Sequence, residues 1–154
     1  MEITRRTDYA LRLIAILVEN QGKPLSVREA ATAQEVPYAF ARSIQHDLVL
    51  AGLVTSVRGA AGGMLLACDP QKLTLLDLIE AVQGQVSVSI CATEEDWCSR
   101  EKKCSFHPVW EGANILLKDY FSSVSIKELI DGCKAHLNNE TIDKVNKNWS
   151  VVKH

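Results

Sequence analysis

A chain of 154 residues with 47% hydrophobic content can bury one sizeable core, which suits one compact unit or a domain with a dimerisation arm. The formal net charge of −2 excludes the strongly basic composition of simple nucleic-acid-binding domains, so any DNA-binding face has to be a local patch. The first helix-like stretch carries charges among its apolar residues and reads as no secretion signal, and no apolar run is long enough to cross a bilayer. A cytoplasmic protein with reduced thiols is therefore expected.

The spacing predicts a first helix over residues 4–20. Leu11, Ile14, Leu17 and Val18 form an apolar stripe, widened by Ala10, Leu13 and Ile16, while Arg5, Asp8 and Arg12 share a polar face. The run Ser26-Val27-Arg28-Glu29 has the form of a capping box, in which each side chain satisfies a free backbone N–H. It opens a short second helix to about Gln34, broken by Val36-Pro37. A third helix over residues 38–51 buries Ile44, Leu48 and Val49 and stops at Gly52. Two short helices across a tight turn, the second polar on one side, make a helix-turn-helix. Strand-like runs over 53–57 and 64–68 flank a glycine-rich turn, Arg58 to Gly63, and a hairpin in that place is a wing.

Thr74-Leu75-Leu76-Asp77 caps a fourth helix that ends at Gly84. Residues 85–103 lack periodicity and form a loop holding Cys91 and Cys98. Pro108 fits the first turn of a strong helix whose stripe comprises Val109, Trp110, Ala113, Leu116, Leu117, Tyr120 and Phe121. So long a stripe needs a partner, and a second copy is expected to supply it, because helix-turn-helix proteins match two half-sites as dimers. Ser125-Ile126-Lys127-Glu128 starts a last helix to about Leu137, and the polar tail after it reads as frayed or disordered.

Five cysteines in a reducing compartment point to metal ligands or reactive groups before disulfides. Cys91, Cys98 and Cys104 are separated by six and five residues, and His107 follows closely. Three soft thiolates in one loop suit an iron–sulfur cluster or zinc, and the spacing matches neither the tight zinc pairs nor the ferredoxin runs. Cys68 and Cys133 read as packing residues. A cysteine-dependent enzyme is the competing class. Cys104 and His107 stand too close in sequence for an ordinary assembled site, and no phosphate loop, G-x-S-x-G or H-E-x-x-H occurs.

The residues resemble the bacterial winged-helix iron–sulfur regulators of the IscR, NsrR and RirA type. The resemblance covers about residues 1 to 132 and rests on Thr7-Asp8-Tyr9-Ala10-Leu11-Arg12, Gly52-Leu53-Val54, Val57-Arg58-Gly59 with Gly62-Gly63, Thr74-Leu75-Leu76-Asp77, the three cysteines and Ile126-Lys127-Glu128-Leu129-Ile130. It implies a mainly α fold with a small β-hairpin, built as a winged helix-turn-helix plus a long dimerisation helix. The expected divisions are a DNA-binding domain over 1–72, a cluster-binding loop and dimerisation helices over 73–137, and a tail over 138–154. It also implies a homodimer on double-stranded operator DNA and an iron–sulfur cluster that tunes affinity, in a repressor sensing nitric oxide, redox state or iron and cluster status. A cluster-free or zinc-binding thiol redox repressor on the same fold is the alternative.

The resemblance divides over the fourth ligand. Asp8, from the other subunit, implies a [4Fe-4S] cluster, whereas His107 implies a [2Fe-2S] cluster. This chain has both residues. A carboxylate is a hard and displaceable ligand on a soft cluster, and Asp8 rides on the first helix, beside the reading head, so Asp8 and [4Fe-4S] are favoured. For DNA, Tyr38, Ala39, Arg42 and Ser43 start the third helix, and Arg42 suits guanine. Ser26 and Arg28 suit phosphates, and Arg58 with Gly59 in the wing suits a narrow minor groove. Arg42 stands where IscR-type proteins have glutamate, which alters the expected DNA sequence.

Overall fold

A computed structural model describes residues 1–20, 22–132 and 143. In chain order the elements are α1 (Arg5–Glu19), α2 (Val27–Ala33), α3 (Tyr38–Leu50), β1 (Val54–Val57), β2 (Gly63–Leu66), α4 (Leu75–Gln83), α5 (His107–Ser122) and α6 (Ile126–Ile130). The fold is mainly α with one antiparallel hairpin, as expected.

Thr4 caps α1 by accepting the Thr7 amide on its hydroxyl. Ala10, Leu13, Ile14 and Leu17 then recur on one side and are buried, with Leu11, Ile16 and Val18 at the edges of that stripe. The stripe is rotated from the one the sequence suggested because α1 lies in the middle of the molecule, touching α2, α3, α4, α6 and β2.

Both helices of the helix-turn-helix end alike. The Val36 amide reaches back to the Ala31 carbonyl at 2.9 Å, and the Leu53 amide to the Leu48 carbonyl at 2.9 Å. This is the Schellman arrangement, which needs a left-handed residue just before the reaching amide. Gly52 supplies it at φ +72°, and Glu35 supplies it at φ +53° without a glycine's freedom. The break after α2 is therefore made at Glu35 and only followed by Val36-Pro37. Val49, expected in the core, is exposed on the far side of α3, whereas Ile44 and Leu48 are buried as expected.

The hairpin pairs Val54 with Leu66 and Val57 with Gly63. A third segment joins its base: Leu25 and Met64 exchange backbone bonds of 3.0 and 2.7 Å. A Cβ on Gly63 would stand 2.4 Å from the Leu25 carbonyl carbon, so the close approach excludes any side chain there.

Both capping boxes of the second half form, at Thr74/Asp77 and Ser125/Glu128. The two capped starts also pair with each other, Leu75 N–H to Val124 carbonyl at 2.9 Å and Ile126 N–H to Leu73 carbonyl at 2.8 Å, which sets α6 beside α4. The helix opened by Ser125, α6, is shorter than expected, ending at Ile130, and residues 133–142 and 144–154 lie outside the described residues. On α5 only Gly112 and Asn114 are buried. Of the predicted apolar stripe, Val109, Ala113, Leu116, Leu117 and Phe121 are half-buried, and Trp110 and Tyr120 are exposed, at 40% and 39%.

Replacing Gly63 by alanine forces the wing base away from Leu25. The expected cost is about 1–3 kcal/mol, read as a lower urea midpoint at unchanged m-value; an unchanged midpoint would show that the close approach is not needed.

Candidate nucleic-acid interface and cysteine segment

Tyr38, Ala39, Arg42 and Ser43 are all exposed on α3, and Arg58 and Gly59 are exposed at the wing turn. Arg42 also lines a cleft of about 280 Å³ with Gln45, His46, Val49 and Ser56, between the recognition helix and the wing. Gln45 donates to the Ser56 hydroxyl at 3.3 Å and bridges the two elements. Gln45, His46 and Ser56 escaped the sequence reading because nothing in spacing alone says that the wing strand folds back onto this side of α3.

The expected phosphate contacts have other neighbours here. The Arg28 guanidinium lies 4.6 Å from the centre of the Tyr38 ring, a cation–π contact that orients both. Ser26 accepts the Glu29 amide at 3.2 Å, and the Glu29 carboxylate accepts the Ser26 amide at 3.1 Å. The bonds from the Ser26 side chain and backbone hold the Glu29 carboxyl below its ordinary pKa. A stable negative charge thus sits where the sequence reading put a phosphate. Ser43 accepts a hydrogen bond from Arg6 at 2.8 Å.

The cysteine segment runs from the end of α4 to the start of α5. Cys91 sits in a short 3₁₀ turn, Ile90–Ala92. Asn114 pins that turn to α5: its side-chain oxygen accepts the Val88 amide at 2.8 Å, and its nitrogen donates to the Ala92 carbonyl at 3.2 Å. A buried amide satisfied on both sides is a strong local constraint, and the sequence reading passed over it. Its one signal was a polar residue between apolar positions of the long helix.

Beyond Cys91 the chain folds back in threes. Glu101 N–H bonds to the Cys98 carbonyl at 3.0 Å, Cys104 N–H to the Glu101 carbonyl at 3.1 Å, and His107 N–H to the Cys104 carbonyl at 3.3 Å. Each such turn keeps its ends within about 7 Å, so Cys98, Glu101, Cys104 and His107 step together toward α5. Cys91, Glu101, His107 and Glu111 share the wall of a cavity of about 220 Å³. The His107 Nε2 lies 3.7 Å from Glu101 and 3.5 Å from Glu111. His107 Nδ1 and Glu101 Oε2 are buried without a hydrogen-bond partner.

Among the described residues, no three His, Cys, Asp or Glu side chains are gathered closely enough to hold a metal ion. The donor chemistry fits one all the same: three thiols and an imidazole whose Nδ1 is buried without a partner suit a soft or borderline metal. Cys91, Cys98, Cys104 and His107 are the residues that would hold it. Asp8 is elsewhere in the chain, paired with Arg12 at 2.8 Å on the exposed side of α1. Cys68 is half-buried against the core, as expected; burial, then Asp77 and Asp69, push its thiol pKa up and keep it protonated. Cys133 lies outside the described residues.

An exposed recognition helix followed by a wing that returns onto it defines a winged-helix DNA-binding regulator. The chain belongs to the Rrf2 family of iron-dependent transcriptional regulators, whose model matches residues 3–132. It is 33% identical over 131 residues to a protein described as an HTH-type transcriptional regulator in Aquifex aeolicus, covering 84% of this chain and 91% of that one. It is 26% identical over 132 residues to the regulator IscR of Photorhabdus laumondii, covering 85% and 80%. Among solved structures it is similar to CymR, the global cysteine regulator of B. subtilis, with a TM-score of 0.68 at 25% identity over 87% of this chain and 99% of that one. IscR of T. potens shares the fold at a TM-score of 0.64 and 23% identity, over 86% and 88%. The family and these relatives are transcriptional regulators and not enzymes. No helix among the described residues is long and apolar enough to cross a membrane.

Asn114→Leu fills the same space and leaves the Val88 amide and Ala92 carbonyl unserved. Hydrogen exchange at Val88 is expected to rise roughly tenfold or more, matching a local loss of about 1–3 kcal/mol, with the α1 amides unchanged; equal protection in the variant would remove Asn114 as the clamp.

Proposed function

We propose that the chain is an iron–sulfur-dependent transcriptional repressor that binds operator DNA as a homodimer in the cytoplasm. The observation that carries the cofactor half is the meeting of Cys91 and His107 on one cavity wall, with Cys104 and Cys98 one and three tight turns from His107. Cys91, Cys98 and Cys104 are the thiolate ligands in this reading. The orphaned His107 Nδ1 makes His107 the fourth, against the preference for Asp8 drawn from sequence. Asp8 of the partner subunit is the rival, since its exposed pair with Arg12 costs little to give up. When bound, such a cluster supplies a centre that nitric oxide, oxygen or iron loss alters. A [2Fe-2S] cluster accompanies the His107 reading and a [4Fe-4S] cluster the Asp8 reading.

On the DNA side, Tyr38, Ala39, Arg42 and Ser43 face the major groove, and Arg58 with Gly59 reaches the minor groove. Arg28, steadied by Tyr38, takes a phosphate beside Ser26 at the start of α2. The uncovered side of α5, with Trp110 and Tyr120 exposed, is the dimer surface, because two copies place two reading heads on successive half-sites. The free thiols of Cys91, Cys98 and Cys104, with the similarity to CymR, a global cysteine regulator, support a second reading, a cluster-free thiol regulator with the same DNA face.

Iron and acid-labile sulfide, measured on anaerobically prepared protein, are expected at cluster stoichiometry in the wild type and absent when Cys91, Cys98 and Cys104 are all alanine. Iron-free wild type would move the reading to the thiol regulator. A change in the visible spectrum with His107→Ala and none with Asp8→Ala is expected, and the converse would restore Asp8. Arg42→Ala should cost about 1–3 kcal/mol and relax the preference at one base position; a loss spread evenly over all sequences would make Arg42 a phosphate contact in the cleft.

A further inference from the structure

The first turn of α1 is held from two sides. One side is Gln83, the last residue of α4. Its side-chain oxygen accepts the Thr7 hydroxyl at 2.6 Å, the Thr4 amide at 3.2 Å and the Thr4 hydroxyl at 3.4 Å. Its nitrogen donates to the Glu2 carbonyl at 3.2 Å. Thr7 is fully buried, so water cannot replace this oxygen. The other side is the recognition helix. Arg6 donates to the Ser43 hydroxyl at 2.8 Å and to the Asp47 carboxylate one turn further along α3. Both bonds leave one guanidinium nitrogen, Nη2, and the one to Asp47 is charge-assisted, so Arg6 ties the start of α1 to two successive turns of α3. It also occupies an acceptor site on Ser43 and leaves that hydroxyl's proton to point elsewhere.

We propose that Arg6 and Gln83 are positioning residues for DNA binding. Gln83 fixes where α1 begins, and Arg6, between the two threonines that Gln83 holds, passes that position to Ser43 and Asp47. Neither residue needs to touch DNA. Gln83 is also followed directly by Gly84 and the cysteine segment, so the brace joins the start of that segment to the reading helix. This last link rests on the proposed sensing function; the brace itself needs only a DNA-reading α3.

Gln83→Met keeps the length and charge of the side chain and removes every polar contact. The probe is a duplex selected by the wild-type protein from a randomised pool, with a random-sequence duplex as control, both followed by fluorescence anisotropy at one fixed salt concentration. The brace predicts roughly tenfold weaker binding of the selected duplex, equivalent to about 1.4 kcal/mol, with the random duplex nearly unaffected. Gln83→Glu keeps an oxygen for Thr4 and Thr7 at a helix start that favours a carboxylate, and is expected to restore most of the loss. Arg6→Lys keeps the charge on a shorter side chain, gives up the reach to Ser43 and Asp47 together, and should mimic Gln83→Met. The double variant should be no weaker than either single one, since both cut one route. Wild-type affinity in both single variants, or equal weakening on both duplexes, overturns the proposal. Should Gln83→Met fail to fold, Arg6→Lys decides by the same criteria. Failure of the sensing function would show separately, as selected-duplex affinity indifferent to alanine at all three cysteines, and leaves the Gln83 result standing.

Discussion

Ala10, Leu13, Ile14 and Leu17 lose nearly all contact with water to neighbours on five other elements, and that single packing arrangement ties both halves of the molecule together. Full burial of each large aliphatic side chain contributes about 1.5–3 kcal/mol. Sliding α1 along its neighbours would forfeit several such contributions at once, because closely packed interiors deform poorly. The helix therefore behaves as a rigid member. What its first turn touches, Gln83 on one side and α3 on the other, is set by the core behind it.

That rigidity gives the regulator's two ends a physical relation. The recognition helix is held from behind by Ile44 and Leu48 and from the side by Arg6. The cysteine segment is held by α4 at its start and by Asn114 at its middle. Between these anchors lie few buried apolar side chains, with Val86 the main exception. Thus the segment can be remade locally while the core stays whole.

Most of the fold was legible in the sequence because it is written in short-range signals. Three capping boxes, the glycine-rich wing turn and the period of α1 each act within a few residues, and each formed. The failures were long-range. Val49 continues the apolar pattern of α3, yet the wing leaves it outside. The break after α2 falls on Glu35, where no glycine announces it. On α5 the residue that matters inward is Asn114, and a polar side chain carries no periodic signal. The cysteines were legible as a group. Their geometry was not, since the turns that step from Cys98 through Glu101 and Cys104 to His107 depend on backbone bonds that composition cannot reveal.

In the proposed function an inorganic centre in the cysteine segment governs a DNA-reading surface through a core that does not itself change. One anaerobic sample, titrated with its selected duplex before and after a chelator strips the iron, tests it directly. A clear change in affinity, with far-UV circular dichroism unaltered, is the predicted result. Identical binding curves for the iron-bearing and stripped protein would contradict it.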